Sequence, residues 1–582
     1  MTAEELLAFR IPLFFSRSTT TTEDNRTGDW SYVQPSYRDH TAPCSEACPC
    51  GTDIPRVERL AAQGRFREAW QAILMENPLP GICGRVCYHP CEGACNRGGF
   101  DAPVAVHLLE RALADQAGQD RTDPGSGRRP ATGRRVAILG SGPAGLAAAS
   151  FLARLGHACE IFEREPEPGG VLRWGIPAYR LPAEALAREV DAVRALGVRI
   201  HCGVAGDLGL AERFDAVLVA CGYGQSMGLG VPGADLAEDG LAFLRAVRAG
   251  TARPAASGAR VAVIGGGNTA IDVARTLLRR GQHPLLVYRR RLEDMPAFFP
   301  EVQRALAEGV EVMQLYAPVA LARDGAGLLL TVQGMRSLPA GPDGRAGIAP
   351  RSEPPVALPV AAVYAAVGSE ATPEWRRGIE ERSFQRHGRT LLACDGPRLL
   401  AVAGDLGTGP RDPKNVSEAI GSGKEAALAL DICLRSGAEA VAGELAACRV
   451  GGGPSLSMEV YLGGPRARRS GRVVRFDDLN PAYFTPRERF RPPVLEPRES
   501  LGSFAEVEGG LDPEAAVGEA ERCFTCGQCN DCDNCRTFCP EVAVRVDGRG
   551  RRDIAVDFCK GCGVCVEECP RGAMVLGEEG RP

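Results

Sequence analysis

The 582-residue sequence predicts an α/β protein in which one strand–glycine–helix unit is inserted into another. A helical cysteine-rich segment precedes them and a cysteine-rich α+β module follows. Three observations carry this reading. A glycine motif follows a short apolar strand at residues 140–145, and the pattern recurs at 265–267. Of the 23 cysteines, 17 fall within the spans Cys44–Cys95 and Cys523–Cys569. The apolar strand and helix after residue 399 complete the first unit, which makes the arrangement a nested one.

Residues 134–165, RRVAILGSGPAGLAAASFLARLGHACEIFERE, organise the chain. Val136 to Leu139 reads as a buried parallel strand, and Gly140, Gly142 and Gly145 follow in G-x-G-x-x-G spacing at the mouth of an apolar helix. The first glycine permits a tight turn, the second lets a pyrophosphate approach the backbone, and the third lets helix and strand pack. The helix N-terminus then faces the anion. Ala158 to Phe162 is a second strand, and Glu163 at its end can accept hydrogen bonds from both ribose hydroxyls. This is a Rossmann-like dinucleotide unit. The glycines of GGVLRWGIPAYRLP, residues 169–182, suggest another close approach to the same ligand. After the Leu399 to Ala403 strand, Asp405 can hold a ribityl or phosphate-side hydroxyl, and a helix beginning at Val416 can turn its positive end toward N1 and O2 of a reduced flavin. FAD is the expected ligand.

Residues 259–290, ARVAVIGGGNTAIDVARTLLRRGQHPLLVYRR, repeat the pattern with Gly265, Gly266 and Gly267. Where the first unit carries Glu163, this one carries Arg289 and Arg290, which suit a 2′-phosphate that a carboxylate would repel. NADP(H) is favoured over NAD(H), the alternative being an arginine-rich solvated turn. Residues 310–365 alternate apolar and polar positions as a β excursion, returning at Val363 to Gly368.

The cysteine clusters point to metal, since a disulfide framework would spread its cysteines and need an oxidising compartment. Cys529, Cys532, Cys535 and Cys539-Pro540 match C-x2-C-x2-C-x3-C-P, and Cys559, Cys562, Cys565 and Cys569-Pro570 match it again. In such modules each cubane takes three cysteines of one run and the last of the other. One 4Fe-4S cluster is therefore assigned to Cys529, Cys532, Cys535 and Cys569, the other to Cys559, Cys562, Cys565 and Cys539. Near the N-terminus a helix is expected from Arg56 to Met75. Cys83, Cys87, Cys91 and Cys95 recur every four residues, but Pro90 argues against one continuous helix and for loops that wrap a cluster. A zinc site or a cysteine-rich core is the alternative there.

The net charge of −5 gives no electrostatic case for nucleic acid, and no apolar stretch nears the ~20 residues that span a bilayer. The start of the chain lacks the marks of a secretory signal, so a cytoplasmic location is expected. The expected domains are an N-terminal arm (1–42), a helical iron–sulfur domain (43–128), an FAD domain (129–225 and 371–435) and an inserted NAD(P)H domain (226–370). A tether with little core (436–515) and a ferredoxin-like domain (516–582) follow. The tether also allows the ferredoxin module to be exchanged between the subunits of a homodimer.

GSGPAGL, GGVLRWGIPAYRLP, GGGNTAIDVA, AAVG, GDLGTGP and VSEAIGSGKEAA, with CGRVCYHPCEGAC before them, resemble the small subunit of NADPH-dependent glutamate synthase and its relatives, among them the amino-terminal half of dihydropyrimidine dehydrogenase. The resemblance implies FAD contacts at Gly140, Gly142, Pro143, Ala144, Gly145, Glu163, Gly170, Val171, Arg180, Gly404, Asp405 and Val416. It implies NADPH contacts at Gly266, Gly267, Asn268, Thr269, Arg289, Arg290, Ala366 and Gly368. The C-terminal module looks more like the iron–sulfur flavoproteins that accompany dissimilatory sulfite reductase, anaerobic benzoate metabolism or 2-oxoacid:ferredoxin oxidoreductases. The family's R-C-x-x-C-G element is absent before Cys44, yet Arg522-Cys523-Phe524-Thr525-Cys526-Gly527 has that form. The comparison suggests one N-terminal cluster on Cys44, Cys95, Cys523 and Cys526 and another on Cys48, Cys87, Cys91 and Glu110. A single cluster drawn from Cys44, Cys48, Cys83, Cys87, Cys91 and Cys95 is the simpler alternative.

The expected function is NAD(P)H:acceptor oxidoreduction, with a flavin converting two-electron hydride transfer into single-electron steps through 4Fe-4S clusters to or from a ferredoxin or partner redox enzyme. No protein acid, base or nucleophile is needed, so no catalytic residue is nominated. A glutamate synthase subunit and a non-catalytic iron–sulfur docking subunit are the alternatives. A disulfide reductase would need a redox pair of cysteines beside the flavin, and between residues 140 and 440 no two cysteines lie within 18 positions of each other.

Overall fold

The computed structural model describes residues 26, 28, 31–117, 128–253, 257–325, 327–341, 346–394, 399–409, 412–548 and 550–578. Most of the expected N-terminal arm lies outside these residues, as does 118–127 of the linker before the first nucleotide unit. Among the described residues no helix is long and apolar enough to cross a membrane.

The first unit is a seven-stranded sheet whose order is Gln385–His387, Thr390–Ala393, Leu399–Val402, Ala216–Val219, Arg135–Leu139, Ala158–Glu163 and Arg199–Cys202. The last five strands are parallel. The apolar runs of the first four of these are buried, while the edge strand Arg199–Cys202 is part-buried. The Pro143–Arg154 and Val416–Ser436 helices pack together closely enough that a Cβ on Gly423 would meet the Ala144 carbonyl oxygen at 2.2 Å. A glycine there lets the long helix lie directly on the glycine-loop helix.

The second unit is a five-stranded parallel sheet, ordered Glu311–Gln314, His283–Tyr288, Arg260–Ile264, Val363–Ala365 and Glu238–Asp239. The alternating residues after 315 form a four-stranded antiparallel sheet on it. Where the chain leaves the first unit and where it returns, Gln225–Ser226 and Ser369–Glu370 pair antiparallel. The two crossings between the sheets lie side by side there.

The rest departs from expectation in three places. The helix expected from Arg56 to Met75 is two, Ile54–Ala62 and Phe66–Glu76, broken at Gly64, whose φ is +70°. Residues Val33–Tyr37, inside the expected arm, form a strand paired antiparallel with Met574–Glu578 at the far end of the chain. Residues 436–515 are not a tether with little core. Val441, Leu445, Cys448, Leu456 and Met458 are buried in the core of the first unit, and Leu511 joins Ala516 and Ala520 against the N-terminal helices. Short turns and single apolar residues, with no period, hid this packing.

One buried ionic node joins three of these regions. Lys424 on the long helix and Glu76 at the end of the Phe66–Glu76 helix, both fully buried, meet at 2.7 Å. Lys424 also donates to the Cys50 carbonyl, and Arg466 reaches Glu76 at 3.2 Å. Glu76 further accepts from Ser457 and from the Met458 backbone N–H at 2.7 Å. Burial favours the neutral acid, but Lys424 and Arg466 outweigh it and hold the Glu76 carboxyl below its usual range. Removing one partner leaves an uncompensated buried charge, worth about 3–5 kcal/mol. Lys424→Met should therefore lower the stability of the loaded protein by about that much, read as a lower denaturant midpoint, whereas an exposed control such as Arg65→Ala, whose pair with Glu68 is solvated, should leave the midpoint nearly unmoved.

Candidate functional site

The first glycine loop has the geometry of a pyrophosphate cradle. Gly140 has φ +99° and a Cβ there would meet the Ala220 carbonyl oxygen at 2.7 Å, while a Cβ on Gly145 would meet the Gly140 oxygen at 2.0 Å. Gly142 faces open space at the N-cap of the helix that begins with Pro143 and Ala144. Glu163 closes the next strand, and its carboxylate accepts from the backbone N–H of Ser141 and of Glu165, each at 2.9 Å. Gly170, with φ +53°, brings its backbone against Gly142, and Val171 stands exposed beside it. Gly404 lies against Ala144 with Asp405 next to it, and Val416 begins the long helix, capped by Asn415. Burial pushes the Asp405 carboxyl up, opposed by Lys414. These residues line one side of the sheet at the carboxyl ends of its strands, where open α/β sheets bind ligands. Arg180 differs from the rest. Its guanidinium meets Asp272 at 2.8 Å and Glu301 at 3.3 Å, so it faces the second unit and clasps the two together.

In the second loop Gly265 has φ +148°, and a Cβ would meet the Ala366 carbonyl oxygen at 2.3 Å. A Cβ on Gly266 would strike the Tyr288 ring at 2.3 Å. Gly267 caps the helix that starts with Asn268 and Thr269, and Gly368, φ +123°, follows Ala366 at the return strand. At the end of the His283–Tyr288 strand Arg289 is exposed, while Arg290 donates to the Ala346 carbonyl at 2.7 Å. Of the two arginines, Arg289 is the exposed one.

The N-terminal cysteines gather into two groups. Burial pushes the Cys44 thiol well up, and Cys95, Cys523 and Cys526 push it further. These four are neighbours although the chain separates them by more than 400 residues. Arg522, 2 % exposed, anchors the 523–526 turn through Glu519 at 2.6 Å and Asp101 at 3.1 Å. The second group lines a cavity with Cys48, Cys87, Cys91 and Glu110 on its wall, and with Cys50, Cys83 and Ser417. Burial first, and Cys48 next, raise the Glu110 carboxyl to about 8. Thiols this buried and crowded do not ionise unaided; a cationic metal core supplies what they lack. The donor set therefore fits a bound cluster. Cys50 was missed from sequence, although its C-x-C spacing to Cys48 was a signal. It and Cys83 stand beside the four expected ligands.

The cavity is roofed by a part of the chain read as tether. His107 sits between Glu92 at 2.7 Å and Glu508 at 3.4 Å, and Arg489 pairs with Glu92. Against burial, which lowers it, these acids raise His107 to about 9. His89, stacked on His107 with ring centroids 4.1 Å apart, is lowered to about 3, chiefly by burial. Glu58, on the same wall, has no hydrogen-bond partner for either carboxylate oxygen among the described residues.

In the C-terminal module the eight cysteines of the two runs lie close together. Cys535 has Cys532 and Cys569 as neighbours, and Cys559 has Cys539 and Cys562. Tyr37, from the expected arm, bonds Cys535 Sγ at 3.1 Å. Arg571 lies among Cys523, Cys526, Cys532 and Cys569, and so stands between the 523–526 group and the first C-terminal quartet. Cys532 and Cys562 are exposed.

Three family models match the chain. A dihydropyrimidine dehydrogenase domain II 4Fe-4S model matches residues 37–122, a pyridine nucleotide-disulphide oxidoreductase model 134–389, and a 4Fe-4S binding domain model 553–575. The chain is 36% identical over 532 residues to the NADP(+)-dependent formate dehydrogenase subunit beta of Moorella thermoacetica, across 84% of this chain and 70% of that one. To the NADPH-Fe(3+) oxidoreductase subunit beta of Geobacter sulfurreducens it is 41% identical over 284 residues, 47% of this chain and 42% of the other. To the NADPH glutamate synthase small chain of Escherichia coli it is 36% identical over 321 residues, 52% and 68% of the two chains. The chain belongs to this family of FAD-dependent NAD(P)H oxidoreductases with 4Fe-4S clusters, to which the glutamate synthase small chain and the formate dehydrogenase beta subunit also belong.

Proposed function

We propose that this chain exchanges electrons between NADPH and a ferredoxin-type carrier or a partner redox enzyme, through four 4Fe-4S clusters in series. FAD, when bound, trades hydride with the nicotinamide and single electrons with the clusters. The carrying observation is the unbroken succession of cysteine groups across the molecule. Ser417, next to Val416 at the flavin end of the long helix, lines the cavity of Cys48, Cys87, Cys91 and Glu110. Cys91 neighbours Cys44, which brings in Cys95, Cys523 and Cys526. Arg571 leads on to the Cys529, Cys532, Cys535 and Cys569 quartet, and Cys535 neighbours Cys565 of the last one. Exposed Cys562 there would meet the partner.

In this reading the chain's own residues bind, shield and orient. Gly140 to Gly145 and Glu163 hold the FAD pyrophosphate and ribose, and Gly404, Asp405 and Val416 the flavin side. Gly266 to Thr269 and Ala366 to Gly368 hold the nicotinamide nucleotide, and Arg289 selects its 2′-phosphate. Residues 481–511 close the cluster cavity to water through the His107 contacts.

Two variants test this. Cys523→Ser/Cys526→Ser should lose the iron of one 4Fe-4S cluster, keep NADPH bleaching of the flavin, and lose most NADPH-driven viologen reduction; an undiminished iron content would end the ligand assignment. Arg289→Ala should raise KM for NADPH about tenfold, on the order of the 1–2 kcal/mol of one charge-assisted contact, and leave that for NADH unchanged. An equal effect on both would remove Arg289 from 2′-phosphate recognition.

A further inference from the structure

Six cysteines lie outside the two clustered spans, and two of them are in contact. Cys394 follows the Thr390–Ala393 strand and Cys433 sits in the last turn of the Val416–Ser436 helix. They are 39 positions apart in sequence, and their Sγ atoms are 3.2 Å from each other. Cys394 is exposed and Cys433 half-buried. The same strand and helix are clasped a few residues earlier, where Arg389 pairs with Glu425 at 2.6 Å and with Glu418 at 2.7 Å. The thiols are thus held together by elements already docked, with no segment needing to refold to join them.

We propose that Cys394 and Cys433 form a reversible disulfide by exchange with a low-molecular-weight disulfide, a modification site separate from the electron-transfer path. The exposed thiolate of Cys394 attacks one sulfur of the small disulfide, giving a mixed disulfide and releasing one thiolate. Cys433 then attacks Cys394 Sγ and releases the second. Two protein thiols become one disulfide, and the small disulfide takes up both electrons and both protons as two thiols. The pair is no disulfide-reductase centre. Cys433 lies 17 residues along the helix from Val416, about 25 Å at 1.5 Å per residue, too far for a thiol to touch the flavin. What the bond would do is close a 39-residue loop that carries Gly404, Asp405 and Val416, tying down the segment that lines the flavin side.

The test is anaerobic treatment of the loaded protein with oxidised glutathione, followed by alkylation and peptide mapping. The expected product is one cross-linked peptide joining Cys394 and Cys433, lost on dithiothreitol treatment, with a higher thermal midpoint for flavin release while it lasts. Cys433→Ser should stop at a glutathionyl group on Cys394, and Cys394→Ser should form neither product. Full alkylation of both thiols in treated wild type, or Cys394 crossed to any other cysteine, would overturn the proposal. The readout is a mass, so it stands or falls independently of the cluster ligand assignments.

Discussion

The structure depends on the buried contact among Lys424, Glu76 and Arg466. A lysine with no exposed surface is tolerable only where a carboxylate and carbonyls meet it on every side, and here they come from separate stretches of chain. Glu76 and Cys50 belong to the N-terminal cysteine domain, Lys424 to the Val416–Ser436 helix, and Arg466 to the segment that returns toward the C-terminal module. The node therefore sets how the first cysteine cavity stands against the long helix. Pro49 reinforces this, since its carbonyl accepts from Arg389 at 3.0 Å and would collide with any Cβ at Gly421.

From that fixed point the two ends of the chain close on each other. The 33–37 strand pairs with 574–578 of the C-terminal module, Tyr37 bonds Cys535, and the 523–526 turn lies beside Cys44 and Cys95. A ferredoxin-like module on a loose leash would have to find its donor by diffusion. This one is built into the N-terminal domain, and its 523–526 turn lies beside two of that domain's cysteines. The spacing between the cysteine groups is thereby fixed by packing within one folded body, and Arg489 and Glu508 pair with Glu92 and His107 at the edge of the innermost cavity.

Features that are local in sequence were legible in it. Both glycine loops, the acid and the arginines at the ends of the second strands, and the paired C-x2-C-x2-C-x3-C-P runs each encode their geometry within about thirty residues. The insertion was legible too, because the strand at Leu399 had no place in the second unit. What failed to show was long-range. Val441, Leu445 and Met458 are apolar residues scattered among glycines and arginines without helical or strand period, so a docked segment read as a tether. Val33 to Tyr37 carries a proline and too few residues to announce a strand. Lys424 and Glu76, 348 positions apart, and Cys394 and Cys433, 39 apart, have no signature short of the fold itself. The R-C-x-x-C-G element at residue 522 pointed across the chain toward Cys44 because it is a motif, not a spacing.

A connection between flavin and clusters within one polypeptide is open to a direct kinetic measurement. Anaerobic stopped-flow mixing with NADPH at several protein concentrations tests it most directly, following flavin and iron–sulfur absorbance together. The account predicts flavin bleaching first, then cluster reduction at a rate independent of protein concentration. Cluster reduction whose rate climbs in proportion to protein concentration, or clusters that stay oxidised beside a fully reduced flavin, would contradict it.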